Sequence, residues 1–375
     1  MDTDKNNKNP CASVFIRGPN GFLRNTMRLR TAFLAVTLLA GPVSAANLNV
    51  YVIDVEGGKS VLLVSPAGQT MLVDAGWPAW GDHASSVGAI VAAAHAAGVK
   101  QIDNLLITHY DIDHAGDMPE LTARIPVRHF FDHGDFRNGA KTAGPISGDE
   151  RRFQAYSVLR EKIGHTVVQP GDTIPLEGVE VRVVAAGGKA IRTPLPGAGE
   201  PNRFCAQYPQ QPVIERDVED NLSAGVVVSF GKFRMLDLAD LEAHHSRDLV
   251  CPNNLIGTVD VYNVNVHAQI KGVAPELVNA IRARAMLVAN GSAKGGDPES
   301  WPILRAAAGL EDIWQEHFTV AGGPRANAPA DFIANPDPDR HGNWIQVSAA
   351  ADGSFTITNS RNGFHKVYPA LSKDK

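Results

Sequence analysis

The stretch THYDIDHAGD, residues 108–117, places two imidazoles and two carboxylates within six residues. These are His109, Asp111, Asp113 and His114, and they follow the apolar run NLLI closely. Imidazole nitrogens and carboxylate oxygens are both ligands of Zn²⁺, and they also suit Mn²⁺ and Fe. Solvated charge alone does not call for histidine. The spacing therefore predicts a metal-binding turn at the end of a strand.

Side-chain alternation suggests how this turn divides its ligands. In an extended backbone, alternate residues point to the same side. His109, Asp111 and Asp113 would then converge, whereas His114 would point elsewhere. One turn could in this way supply two adjacent metal positions. The alternative is a polar loop with chance histidines, which leaves the spacing unexplained.

The segments around the motif alternate between strands and helices. NLNVYVIDV (47–55) and QTMLVDAG (69–76) are rich in branched residues and predict strands joined by glycine turns. DHASSVGAIVAAAHAAGV (82–99) predicts an alanine-rich helix. Residues 187–213 are rich in Gly and Pro and predict a long loop, and residues 344–360 predict a hairpin that turns at Asp352-Gly353. This order favours two mixed sheets packed together, with helices outside.

Composition narrows the class of protein. The chain has 375 residues, 44% of them hydrophobic, which suffices for a large core. No linker divides it, so we expect residues 47–375 to form a single domain with a C-terminal hairpin extension. The formal net charge is −5, and residues 1–46 carry six basic and two acidic side chains, so the remainder is more acidic still. There is no strong basic patch for nucleic acid.

The N-terminal segment has the features of an export signal. From Met27, two arginines precede the apolar run TAFLAVTLLAG, and VSA (43–45) has the small residues of a cleavage site. We expect residues 1–26 to be an upstream start artefact and residues 27–46 to be a signal peptide. The run is too short to span a membrane comfortably, and a buried helix is the alternative. The expected location is periplasmic or secreted, with no membrane span once the signal is removed.

Cysteine usage agrees with export. Cys11 lies in the upstream segment, which leaves Cys205 and Cys251. An even pair in an exported chain favours one disulfide, and two unpaired thiols are the alternative.

The motif resembles the H-x-H-x-D-H signature of the metallo-β-lactamase fold superfamily, with Asp111 in place of the second histidine. This variant is similar to the hydrolase domain of bacterial competence (DNA-uptake) proteins. Further segments match in order: residues 53–77 resemble the opening meander, residues 220–242 a later strand pair, and residues 259–269 a strand that ends in a histidine pair, reduced here to one. The resemblance covers about residues 48–310. It implies an α/β fold, a four-layer αββα sandwich of two mixed β-sheets with outer helices.

The resemblance also implies a set of metal ligands. It assigns His109 and Asp111 to a first metal, Asp113, His114 and His267 to a second, and Asp240 to a bridging position. Asp113 would in addition orient the attacking hydroxide.

The third ligand of the first metal has two candidates in this chain. In the family it is a histidine upstream of the Asp-Asn pair, and this position falls near Asp217 in RDVEDN. His133 in FDHGD is another candidate, either as a ligand or as a hydrogen-bonded surface histidine. A first site rich in carboxylates would weaken a preference for zinc and favour manganese or iron. The expected cofactor is one or two divalent ions, zinc foremost, with manganese or iron as alternatives.

These inferences lead to one expected function and one alternative. The expected function is an exported metal-dependent hydrolase that directs a metal-activated hydroxide at an ester, lactam or phosphodiester substrate. The alternative is a catalytically inactive binding protein that retains the fold. A fold does not identify a substrate, and the sequence does not determine the oligomeric state.

Overall fold

The first strand shows why these segments form sheets that are buried on both faces. In Leu48–Ile53, Val50 and Val52 point into a core between two sheets, whereas Tyr51 and Ile53 point into a second core under helices. Branched side chains pack well on both sides of a pleated strand. The richness in branched residues that the sequence showed thus agrees with a strand covered on each face.

The structure is a computed structural model that describes residues 46–81, 84–136, 148–208, 218–338 and 342–371. The strands in these ranges are Leu48–Ile53 (β1), Val61–Val64 (β2), Thr70–Val73 (β3), Asn104–Leu106 (β4), Phe130–Asp132 (β5), His165–Val167 (β6), Thr173–Leu176 (β7), Val179–Ala186 (β8), Lys189–Ala190 (β9), Gly225–Phe230 (β10), Phe233–Asp237 (β11), Val261–Asn263 (β12), Ala285–Val288 (β13), Asp312–His317 (β14), Ile333–Asn335 (β15), Trp344–Ala349 (β16), Phe355–Asn359 (β17) and His365–Tyr368 (β18). The α-helices are Val87–Ala96 (α1), Ile112–Ala115 (α2), Met118–Arg124 (α3), Gly148–Ile163 (α4), Phe204–Gln207 (α5), Ala243–Ser246 (α6), Pro275–Ile281 (α7) and Ser300–Arg305 (α8).

The strands form two mixed sheets. The first has the order β18-β17-β16-β1-β2-β3-β4-β5-β6. The second has the order β15-β14-β13-β12-β11-β10-β8-β7, and β9 pairs with β8. In each sheet an antiparallel part adjoins a parallel part: β1 to β3 are antiparallel and β3 to β6 parallel, whereas β10 and β11 are antiparallel and β11 to β15 parallel.

Three apolar cores separate the layers. One lies between the sheets and includes Val50, Val226 and Phe355. A second lies between the first sheet and helices α1, α3 and α4, and a third lies between the second sheet and helices α7 and α8. The predicted four-layer αββα sandwich is confirmed.

Two local expectations change in the structure. The predicted loop 187–213 contains the short strand β9 and the helix α5 among its described residues. The predicted C-terminal hairpin forms β16 and β17, but β16 pairs along its length with β1 and so continues the first sheet. The predicted signal segment lies outside the described residues except for Ala46. No helix in the described ranges is long and apolar enough to cross a membrane.

Cys205 and Cys251 are joined by a disulfide, with their Cα atoms 5.8 Å apart. This bond decides between the two alternatives that the sequence left open. It fixes α5 to the segment that follows α6.

Candidate metal centre

The carboxyl ends of parallel strands bring the motif residues to one edge of the sandwich. Asp74 and His109 follow the parallel neighbours β3 and β4. Asp240 and His267 follow β11 and β12, which are parallel neighbours in the second sheet. Residues more than 150 positions apart, such as His114 and His267, therefore come into contact.

A four-residue group forms the centre of this edge and consists of Asp113, His114, Asp240 and His267. All four side chains are buried. The two imidazole Nε2 atoms are 3.2 Å apart. Asp113 Oδ2 lies 3.3 Å from His114 Nε2 and 3.2 Å from His267 Nε2, and the Asp240 oxygens lie at the same two distances. Four ligand atoms thus converge on one point.

The hydrogen bonds of the two rings orient them for a cation. His267 Nδ1 donates to the carbonyl oxygen of Ala289 at 2.9 Å, and His114 Nδ1 donates to Asp74 Oδ2 at 2.9 Å. In a neutral ring, Nε2 then carries a lone pair, and both lone pairs face the two carboxylates. Ligands of a tetrahedral ion with bonds of about 2.0 Å lie about 3.3 Å from each other. The spacing and donor set of this group therefore fit a divalent ion.

The charges within the four-residue group also favour a bound cation. Burial is the largest effect on the pKa of His114 and lowers it, but Asp240, Asp113 and Asp74 together raise this pKa well above its ordinary value. Burial likewise raises the pKa of Asp240, yet His267 and His114 lower it well below its ordinary value. Without a metal, the carboxylates hold a positive charge on the imidazole that faces them. A divalent ion held by these four residues would supply positive charge to the same carboxylates.

A three-residue group lies beside the first and consists of His109, Asp111 and Asp220. His109 Nε2 is 3.8 Å from Asp111 Oδ2 and 3.6 Å from Asp220 Oδ1. This nitrogen is buried and has no hydrogen-bond partner among the described residues. Burial, followed by the charge of His114, lowers the pKa of His109 well below its ordinary value, so the ring is neutral. A buried neutral nitrogen facing two carboxylates fits a second metal position.

The two groups adjoin each other, since the rings of His109 and His114 are 4.1 Å apart between centroids. Each group also has one lysine at its margin. The Lys294 ammonium pairs with Asp113 and lies 5.0 Å from the centre of the Trp77 ring. The Lys271 ammonium pairs with Asp220. Sequence analysis did not single out either lysine, because each is separated from the motif by more than 150 residues.

The backbone beside His267 adopts an unusual conformation. Val266, His267 and Ala268 have φ of 51°, 53° and 60°, a left-handed region that a branched residue such as valine rarely adopts. The loop is held because Val266 N donates to Ala239 O at 3.0 Å. Gly295 closes over it, and a Cβ at that position would lie 2.4 Å from His267 O. Such strain is commonly found at functional sites, and here it directs His267 at the four-residue group.

The motif turn differs from the extended turn that the sequence suggested. Residues Ile112–Ala115 form one helical turn, α2. Adjacent residues in a helical turn can share a site that adjacent residues in a strand cannot. Asp113 accordingly joins His114, and not His109 and Asp111, which is the division that the family resemblance implied.

The candidates for a third ligand of the first metal have different outcomes. Asp217 lies outside the described residues. His133 is buried with its Nε2 3.2 Å from Glu219 Oε2 and its ring 4.7 Å from that of Tyr110, and it belongs to neither group. Asp220 is the residue that lies beside His109 and Asp111. It begins the 3-10 turn Asp220–Leu222 that leads into β10, and its position directly before Asn221 was the signal in the sequence.

A cleft of about 300 Å³ borders the motif turn. It is lined by Pro78, Ala115, Gly116, Asp117, Met118, Pro119, Gly148, Arg151, Arg152 and Ala155. The cleft lies beside the turn that carries the ligands, and it does not include the ligand side chains themselves.

Residues 53–200 match the family described as Lactamase_B, metallo-beta-lactamase superfamily. No curated protein matches. Among solved structures, the metallo-beta-lactamase fold protein YhfI from Bacillus subtilis is 12% identical with a TM-score of 0.41, and the alignment covers 72% of this chain and 96% of that one. CmlA, a diiron β-hydroxylase from Streptomyces venezuelae, is 17% identical with a TM-score of 0.36, and the alignment covers 72% of this chain and 48% of that one.

Neither structural likeness assigns an activity to this chain. The sequence match covers the motif turn and the strands on both sides of it. The described part of the chain folds as a four-layer αββα sandwich, and its residues 53–200 are similar to the metallo-β-lactamase superfamily.

Proposed function

We propose that this protein is an exported metal-dependent hydrolase that cleaves an ester, lactam or phosphodiester bond. The observation that carries the proposal is the pair of adjacent ligand groups with buried imidazole nitrogens directed at carboxylates. Such an arrangement is costly to bury without a cation, because unpaired polar atoms and like charges are both unfavourable in the interior.

Each group would hold one ion. His109, Asp111 and Asp220 would hold the first, and Asp113, His114, Asp240 and His267 the second. Two ions in such a site lower the pKa of a bound water and stabilise the oxyanion formed on attack. The Asp113 carboxylate would accept a hydrogen bond from that water and orient it. Asp240 lies in the four-residue group with Asp113. Asp111 is the most exposed of these seven side chains, with 27% of its side chain exposed.

The donor sets differ between the two positions. The four-residue group has two nitrogens and suits zinc, whereas the three-residue group has one nitrogen and two carboxylates and also suits manganese or iron. We therefore propose zinc in the second position. The first position takes zinc, manganese or iron according to availability.

The lysines indicate the charge of the substrate. Lys271 and Lys294 lie at the margins of the two groups, with 38% and 30% of their side chains exposed. Once metals neutralise the carboxylates, these ammonium groups become available to an anion. A substrate with a carboxylate or phosphate next to the scissile bond would be attracted to this site.

The test is metal content together with hydrolysis. The full chain is stripped with a chelator, reloaded with zinc, manganese or iron, and assayed with a nitrophenyl ester, a chromogenic cephalosporin and bis(nitrophenyl) phosphate. Asp240→Asn should lose bound metal and lower kcat/KM by roughly 100-fold or more. Asp248→Asn, an exposed aspartate nearby, is the matched control and should behave as the wild type.

Two outcomes would contradict the proposal. If Asp240→Asn keeps full metal content and activity, the four-residue group is not the centre. If the protein binds metal tightly but hydrolyses none of the three substrate classes, a binding protein that retains the fold is the better description.

Export is the second part of the proposal. Its support is the Arg28-to-Ala45 pattern and the disulfide, since disulfides persist mainly in oxidising compartments. Expression of residues 27–375 in a bacterial host, followed by intact mass analysis of the periplasmic fraction, should give a chain that begins at Asn47. An uncleaved chain confined to the cytoplasm would contradict export.

A further inference from the structure

Three ligating side chains meet at a place that neither ligand group includes. Asp54 follows β1 of the first sheet directly, Glu56 lies two residues later, and His317 is the last residue of β14 in the second sheet. One ligand atom of each lies within 4.8 Å of the others. Asp54 and His317 are fully buried, whereas 32% of the Glu56 side chain is exposed. We call these residues the inter-sheet cluster.

Two potential ligand atoms of the inter-sheet cluster have no hydrogen-bond partner among the described residues. His317 Nδ1 donates to Phe318 O at 3.1 Å, so in a neutral ring Nε2 carries the lone pair. Asp54 Oδ1 accepts from Glu56 N at 2.9 Å. Asp54 Oδ2 and His317 Nε2 are both buried, and within the described part of the chain neither has a hydrogen-bond partner. Buried atoms of this kind normally bind a water, a proton or an ion.

The distances match a metal site. His317 Nε2 lies 3.3 Å from Glu56 Oε1, within ion-pairing distance. Two ligands of a tetrahedral ion with bonds of about 2.0 Å lie about 3.3 Å from each other. One imidazole and two carboxylates are a common zinc ligand set, with exchangeable water completing the coordination. The imidazole argues against calcium and magnesium, which prefer oxygen ligands.

A further buried carboxyl group adjoins the inter-sheet cluster. Glu316, next to His317 in the chain, is buried, and both of its carboxyl oxygens lack hydrogen-bond partners among the described residues.

We propose that Asp54, Glu56 and His317 bind a further divalent cation of the zinc class that ties the two sheets together. Its ligands come from both sheets, so the ion would link elements that otherwise meet through side-chain packing. The ion would also fix the turn after β1. In that turn Glu56 O accepts from Trp77 Nε1 at 3.2 Å, and Lys59 N donates to Asp113 O at 3.0 Å. The site is structural, and it supports the backbone of Asp113.

The test counts zinc in the full chain. Chelator-treated protein is incubated with excess zinc, freed of unbound metal by gel filtration and measured by elemental mass spectrometry. Glu56→Gln and His317→Gln should each bind one zinc fewer per chain than the wild type. Glu180→Gln, an exposed glutamate on β8, is the matched control and should bind as many as the wild type. The comparison is with the wild type, so it holds however many ions the other groups bind.

Thermal unfolding supplies a second readout that does not involve activity. Zinc should raise the Tm of Glu56→Gln less than that of the wild type, whereas without zinc the two Tm values should be similar, because Glu56 is partly exposed. If Glu56→Gln and His317→Gln bind as much zinc as the wild type and gain the same Tm, the inter-sheet cluster is not a metal site and the proposal is overturned.

Discussion

At the scale of single residues, Asp74 belongs to neither ligand group but orients an imidazole in each through hydrogen bonds. Its Oδ2 accepts from His114 Nδ1 at 2.9 Å and from Thr108 Oγ1 at 2.7 Å. Because the Thr108 hydroxyl proton is directed at Asp74, its oxygen is left to accept from His109 Nδ1 at 3.1 Å. One buried carboxylate thus fixes the tautomers of both imidazoles and directs their Nε2 atoms at the metal positions.

Asp74→Asn should weaken zinc binding by about 10- to 100-fold, because the amide offers a donor where His114 and Thr108 both need an acceptor. The dissociation constant is measured by competition with a chromogenic chelator. Asp172→Asn, an exposed aspartate, is the control. An unchanged dissociation constant in a folded Asp74→Asn protein would show that ring orientation does not depend on this carboxylate.

At the scale of elements, the short helix α5 depends on contacts with distant segments. Cys205 lies in α5 and is bonded to Cys251 across 46 residues. Arg247 donates to Cys205 O at 2.9 Å and to Glu276 Oε1 at 2.6 Å, and so links α5 to α7. A helix of four residues has little stability of its own, so these links hold it.

Replacing both cysteines by serine should lower the free energy of unfolding by up to about 4 kcal/mol, because a 46-residue loop is no longer closed in the unfolded chain. Urea denaturation measures the change. The wild type with its disulfide intact is the reference. Equal stabilities for the double variant and the wild type would show that contacts such as those of Arg247 hold this region without the bond.

At the scale of the whole molecule, stability should depend on pH through carboxyls buried away from the metal groups. Asp260 precedes β12, and its Oδ2 accepts from Arg234 N at 2.9 Å. Burial raises its pKa from 3.8 to about 6. Between these values the folded protein binds more protons than the unfolded chain. The contribution of Asp260 to stability is therefore greatest below about pH 4 and is lost as the pH rises through 6.

Asp260→Asn should remove this dependence. Relative to the wild type, the variant should gain up to about 3 kcal/mol of unfolding free energy between pH 4 and pH 7, since two pKa units correspond to roughly that amount. Urea denaturation at pH 4, 5, 6 and 7 gives the comparison. Asp248→Asn provides a matched exposed aspartate. Parallel pH profiles for Asp260→Asn and the wild type would contradict the prediction.

Local sequence determined the elements and the kind of site. Segments rich in branched residues and separated by glycine turns predicted β1 to β3, because strands buried on both faces are apolar along most of their length. The motif at 108–117 and the order of the later segments predicted the four-layer fold and named six residues that the structure gathers at one edge: His109, Asp111, Asp113, His114, Asp240 and His267. These signals lie within short stretches, where spacing directly limits geometry.

The tertiary structure decided which of these residues share a position. Because Ile112–Ala115 form a helical turn, Asp113 lies in one group with His114 and not, as the extended turn predicted, with His109. A 3-10 turn brought Asp220 into the three-residue group, and the same short segment of sequence contains Asp217 as an equally plausible ligand. Asp54 and His317 are 263 residues apart and meet only because β1 and β14 lie in sheets packed against each other. Sequence spacing constrains neighbours along the chain, whereas contacts between sheets follow from the packing of the whole domain.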